Sequence, residues 1–178
     1  QTNVGSQTVY YQVTGNNFTT KTGSFTCSVT KATMNNPSLA GNSKTYNGSA
    51  LTCDGDITGL TPSGATVQYA TQSSGTCGTY GSAPTRTTAG TTTVCYKISA
   101  ANYTDKTGTF TCTVNKATMS ASLAGNSKTY NGSALTCDGG TPTGVPGGST
   151  ITYSTTDGSG YSSTKPTRTN AGTTTVYY

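Results

Sequence analysis

The sequence predicts an all-β chain of tandem, antiparallel two-sheet sandwiches with a period of about 85 residues, and three observations carry that expectation. Only 8% of residues are charged, Gly is 23 of 178, His and Trp are missing, and all five acids are Asp. Helices draw on Glu, Ala, Leu, Lys and Gln, whereas Thr, Val, Tyr and Phe suit a half-buried pleated surface. The stretch Ser38–Gly55, SLAGNSKTYNGSALTCDG, recurs letter for letter at Ser122–Gly139, and self-similarity at a fixed period marks a repeat architecture. Between the short apolar runs, turn signals fall about every eight to twelve residues, the spacing of sandwich strands.

Composition also excludes. Twelve Tyr at recurring places argue against a disordered chain, which carries few aromatics. The net charge of +5 is spread over single residues such as Lys31, Lys44, Lys97, Lys116 and Lys128. No basic patch forms, so no nucleic acid partner is expected. No apolar run approaches the length of a membrane span, so no membrane segment is expected in these residues.

Residues 6–34 align without a gap on 91–119, an offset of 85, and residues 83–96 align on 165–178, an offset of 82. The expected organisation follows: 1–30 are closing strands of one repeat, 31–115 a complete repeat, and 116–178 a repeat lacking its closing strands. Tyr177 and Tyr178 lie in a strand whose counterpart continues through Lys97, Ile98 and Ser99. Within 31–115, Thr33–Leu39 reads as a weak first strand whose Pro37 suits a sheet edge. Lys44–Tyr46, Asn47-Gly48 and Ala50–Cys53 read as a hairpin, since Asn-Gly supplies positive φ. After the Pro62-Ser63-Gly64 turn comes a strand over Ala65–Ala70, and Ser73–Gly81 reads as a Gly- and Ser-rich loop. Thr92–Ser99 and Thr107–Asn115 are the clearest strands, joined by a turn through Asn102 and Asp105. Alternation points Val94, Tyr96 and Ile98 inward with Phe110, Cys112 and Val114, and Cys95 outward.

The repeat also orders the six cysteines. Cys27 corresponds to Cys112 and Cys53 to Cys137, while Cys77 and Cys95 occur together in the complete repeat alone. Residues present together and absent together are most simply a pair, so bridges are expected from Cys53 to Cys112, in the core, and from Cys77 to Cys95, as a surface staple. An oxidising, extracellular location follows. Cys27 and Cys137 then each lack the strand that would carry their partner. They are expected to form an inter-repeat or inter-chain bridge, either in a longer array or between chains that complete each other head to tail.

Catalysis needs groups that titrate or attack, and five scattered Asp without His or Glu support no enzyme and no cofactor. Without a neighbouring base the many hydroxyls are poor nucleophiles, and no cysteine pair has metal-ligand spacing, so no metal is expected. Asn17, Asn47, Asn102 and Asn131 head candidate glycosylation sequons, although Asn also suits the turns in which each falls. Outward Tyr10, Tyr80, Tyr161 and Tyr177 offer stacking surfaces for a sugar or a neighbouring subunit.

The strings KTYNGSAL, SGATVQYAT, TTAGTTTVCYKISAANYT and TGTFTCTVNKA, in that order, resemble the MBG/YDG-type bacterial Ig-like repeats of cell-surface adhesins and extracellular fibres. The resemblance spans the chain and implies Ig-like modules at the cell surface. The cysteines depart from such repeats, which mostly lack disulfides. The expected function is therefore a structural module of an extracellular bacterial fibre, pilus-like filament or adhesin stalk, with neighbouring copies of itself as partners. The alternative is an adhesin module that binds a host glycan or protein.

Overall fold

The computed structural model describes residues 1–60 and 62–178. Its described residues contain strands and no helix, and they divide into two compact units, Gln1–Ala117 and Thr118–Tyr178.

The first unit opens with a long hairpin, β1 (Gly5–Gly15) against β2 (Phe18–Val29), antiparallel in the register Val9 opposite Phe25 and Tyr11 opposite Gly23. A five-stranded sheet then runs in the order β4 (Asn42–Thr45), β11 (Lys106–Asn115), β10 (Gly90–Ser99), β7 (Thr66–Ser73), β8 (Thr76–Cys77). Two short ladders accompany it, β3 (Asn35–Ala40) with β6 (Asp56–Leu60) and β5 (Leu51–Thr52) with β9 (Thr85–Arg86).

The core gathers where alternation points apolar side chains inward. Val94, Tyr96 and Ile98 of β10 and Phe110 and Cys112 of β11 pack with Met34, Leu39 and Cys53. Tyr69 meets Phe110 edge to face at a centroid distance of 6.4 Å, an arrangement that ring quadrupoles favour. Few aliphatic side chains fill this core, so the Cys53–Cys112 bridge through its centre matters to its stability.

Several expectations fail here, each for a physical reason. Lys44–Cys53 is no hairpin: β4 runs parallel to β11 while β5 pairs with β9, so the two arms join different ladders. The turn between them closes on the Lys44 ammonium, which donates to Asn47 Oδ1 at 2.9 Å and to Ser49 O at 2.5 Å. The parallel β4–β11 pairing also makes the main sheet mixed, where an antiparallel one was expected. Ser73–Gly81 is not loop throughout: Ser74 (φ 48°) and Gly75 (φ 80°) turn β7 back into the two-residue strand β8. The first strand begins at Asn35, and its ladder with β6 shifts register across Pro37, which is fully buried.

The second unit carries only one short ladder, β12 (Leu135–Thr136) with β13 (Thr167–Arg168), and isolated bridges such as Ser154 with Tyr177. Its residues 126–129 and 172–176 take no strand conformation, although their sequence counterparts are β4 and the first part of β10.

Candidate assembly site

The chain bridges Cys53 to Cys112, with Cα atoms 5.4 Å apart, and Cys77 to Cys95, with Cα atoms 5.9 Å apart, the two pairs singled out by the repeat. Cys53 and Cys112 are fully buried in the core. Cys95 is fully buried as well, contrary to the expected surface staple. The reason is the β7–β8 turn: it brings Cys77 and the following Tyr80 over the outer face of β10, where the Lys97 ammonium sits 5.4 Å from the Tyr80 ring centre. That cation–π contact also takes Tyr80 out of the set of free stacking surfaces.

Cys27 and Cys137 remain free thiols, the first exposed and the second half-buried. Each lies in a distinctive setting. Cys137 lines a groove of about 370 Å³ in the second unit, together with Leu123, Gly125, Leu135, Val176 and Tyr178. Three local clasps of the first unit are repeated around this groove. Asn126 donates to Thr136 O and Asp138 as Asn42 donates to Thr52 O and Asp54. Arg168 donates to Thr174 Oγ1 and Ala171 O as Arg86 donates to Thr92 Oγ1 and Ala89 O. Cys137 N donates to Pro166 O at 2.8 Å, as Cys53 N does to Pro84 O.

What differs is the filling. In the first unit the corresponding space holds β11, whose Phe110, Cys112 and Val114 are buried there. A Cβ added at Gly41 would stand 2.5 Å from the carbonyl oxygen of Thr111, so β4 and β11 touch at that point, whereas a Cβ at Gly125 would meet nothing within 4 Å. Tyr178, which lines the groove, is correspondingly bare, 53% exposed where its counterpart Tyr96 is 4% exposed; elsewhere in the second unit Met119 is 64% exposed where its counterpart Met34 is 5% exposed. The Tyr178 hydroxyl turns in to accept a hydrogen bond from Leu123 N at 3.3 Å.

The β1–β2 hairpin is the converse object. It reproduces the β10–β11 pair: Phe25 faces Val9 as Phe110 faces Val94, and Tyr11 covers Gly23 as Tyr96 covers Gly108. The ring pairs agree too, Tyr11–Phe25 at 6.5 Å and 36° against Tyr96–Phe110 at 6.5 Å and 35°. Yet no core covers it: Phe25 is 55% exposed, and Tyr10, Val13 and Phe18 are exposed as well. Its strand edges and apolar face lie open, the condition in which a sheet recruits a partner.

Of the sequons, Asn17, Asn47 and Asn131 are exposed, whereas Asn102 is half-buried, accepting from Val4 N at 2.9 Å and donating to Asn3 Oδ1 at 3.3 Å. Electrostatics are sparse. The Lys165 ammonium, 3.1 Å from Asp138 Oδ2, holds that carboxyl below the usual aspartate range, helped by Gly140 N. Burial pushes the Tyr69 phenol up, with the charge of Asp54 adding to it. Among the described residues no helix is long and apolar enough to cross a membrane. Comparison with protein-family models, with curated proteins and with solved structures finds no match for this chain.

The groove contacts were not readable from the sequence. A close approach at Gly41 depends on β11, some seventy residues away along the chain, and a lone glycine gives no sign of it. The arginine clasps were signalled, by the recurrence of PTRT-x-AGTTT at 84–93 and 166–175, but carry no meaning until the fold is seen.

Proposed function

We propose that this chain is a structural repeat module of an extracellular bacterial fibre, pilus-like filament or adhesin stalk, without enzymatic activity. Its units are Ig-like sandwiches of about 85 residues, disulfide-stapled and joined in a linear array. One observation carries the reading: the same chain holds a core closed by a β10–β11 pair, an open copy of that core, and a bare copy of the closing pair. Units that recur at a fixed period along a chain contact chiefly their neighbours and stack into linear arrays. The two intramolecular bridges are compatible with an oxidising compartment, as this location requires.

Electron microscopy of native material labelled with an antibody to this chain tests the reading. Label running along fibres supports it; label confined to the cell interior or to compact isolated monomers removes it.

A further inference from the structure

We propose that the groove beside Cys137 is an acceptor site for strand β2 of a second copy of this chain, locked by a Cys27–Cys137 disulfide between the two copies. This rests on the linear-array reading and gives it a contact, a register and a lock.

The occupant is specified by the first unit. There the equivalent space takes a strand with Phe, Cys and Val at alternate positions, Phe110, Cys112 and Val114. The pattern occurs once more in the chain, as Phe25, Cys27 and Val29 of β2. Transferring the β11 register places Cys27 opposite Asn126 and Val29 opposite Lys128, parallel, as Cys112 and Val114 stand to Asn42 and Lys44. On its other edge Phe25 stands opposite Val176 and Cys27 opposite Thr174, as Phe110 and Cys112 stand to Val94 and Thr92. Cys27 then lies against Cys137 as Cys112 lies against Cys53.

In the free chain that second edge of β2 is held by Gly5–Gly15 of β1. The acceptor supplies a replacement for the part up to Tyr11: Asn170–Tyr178 reads NAGTTTVYY against NVGSQTVYY at Asn3–Tyr11. The ladder pairs given up against Gly5–Tyr11 are remade on the acceptor, while those of Gln12, Val13 and Gly15 are lost and must be offset by the new contacts. The gain is the parallel ladder to 126–129 and the burial of Phe25, Val29, Leu123 and Val176, all of them now at least partly exposed.

The covalent step needs an oxidant, and a low-molecular-weight disulfide such as oxidised glutathione suffices. The Cys27 thiolate attacks one glutathione sulfur, forming a mixed disulfide and releasing one glutathione thiolate. The Cys137 thiolate then attacks the Cys27 sulfur, making the inter-chain bond and expelling the second glutathione. Two protein thiols are oxidised and one glutathione disulfide is reduced to two thiols.

The test uses the full chain, as an equal mixture of isotope-labelled and unlabelled protein, at graded concentrations in a glutathione redox buffer. Expected are a ladder of multiples of the chain mass on a non-reducing gel and a Cys27–Cys137 peptide pair, half of it isotopically mixed. Gly125→Val, which adds a side chain where a free chain has open space, should cut the ladder at least tenfold. Phe25→Asp should do the same from the donor side, while Gly147→Val, in open space outside the groove, should leave it intact. A Cys27–Cys137 peptide of unmixed isotope, a Cys27–Cys27 peptide, a ladder indifferent to Gly125→Val and Phe25→Asp, or monomer at every concentration would each overturn the proposal. Native fibres in which Cys27 and Cys137 are unlinked would do so while leaving the fibre reading standing.

Discussion

Gly41 and Gly125 occupy the same place in an identical eighteen-residue stretch, yet Val should have opposite effects at the two. At Gly41 the new Cβ falls 2.5 Å from Thr111 O and 3.2 Å from Thr111 Oγ1. The nearer atom is backbone and cannot swing aside, so β4 must lift from β11. That strains the four-residue parallel ladder and the Tyr46 N to Asn115 O bond of 2.8 Å. Losing three such bonds at about 1 kcal/mol each costs about 3 kcal/mol, and overpacking of a tight contact independently gives about 1–3 kcal/mol. At Gly125 nothing stands within 4 Å. There the chief effect is less freedom in the unfolded chain, a stabilisation of about 0.5 kcal/mol. Urea unfolding of dilute, oxidised protein followed by circular dichroism measures both, and hydrogen exchange over 106–115 isolates the first unit. Equal losses from the two substitutions, or no loss from Gly41→Val, would refute the contact geometry.

Three further outcomes are expected. Replacing Cys53 and Cys112 by Ala should cost about 4 kcal/mol and replacing Cys77 and Cys95 about 3 kcal/mol, from closed loops of 59 and 18 residues; urea midpoints should fall in that order. In a host that glycosylates secreted proteins, peptide mass spectrometry should find glycan at Asn17, Asn47 or Asn131 in preference to Asn102, whose amide nitrogen donates to Asn3. Asp138 should titrate below the ordinary aspartate value by carbon-detected NMR, and Lys165→Met should raise its midpoint. Because the folded value is the lower one, the stabilisation from this exposed pair is present above the unfolded aspartate range. It is lost as pH falls through the folded value, and salt weakens it throughout.

The strands at 90–99 and 106–115 were legible because alternation and a fixed Cys offset are local signals, and their core side is the expected one. The arms around Asn47-Gly48 were not, because a turn signal says where the chain reverses and nothing about which strand each arm joins. The parallel partner of β4 is β11, far along the chain, and parallel pairing leaves no mark at either end. Cys95 was read as exposed from alternation alone, but a strand's outer face is exposed only when no loop returns to cover it. Here Thr76–Gly81 does, carrying Cys77 and Tyr80. The open groove was half legible: counting Cys27 and Cys137 against their bridged counterparts showed that two partners were missing. The lining that Gly125, Leu123 and Val176 provide appears only once the first unit shows what fills the same space.

Hydrogen exchange at residues 126–130 tests most directly whether the open core is completed by another copy. The alternate amides of Asn42–Tyr46 that face β11, Tyr46 N among them, lie in the β4–β11 contact and should be protected at every concentration. Those of Asn126–Tyr130 should exchange freely in dilute protein and gain protection, toward that of their counterparts, as concentration rises and chains assemble. Assembly that leaves 126–130 exchanging freely, or protection already complete in isolated monomers, would contradict it.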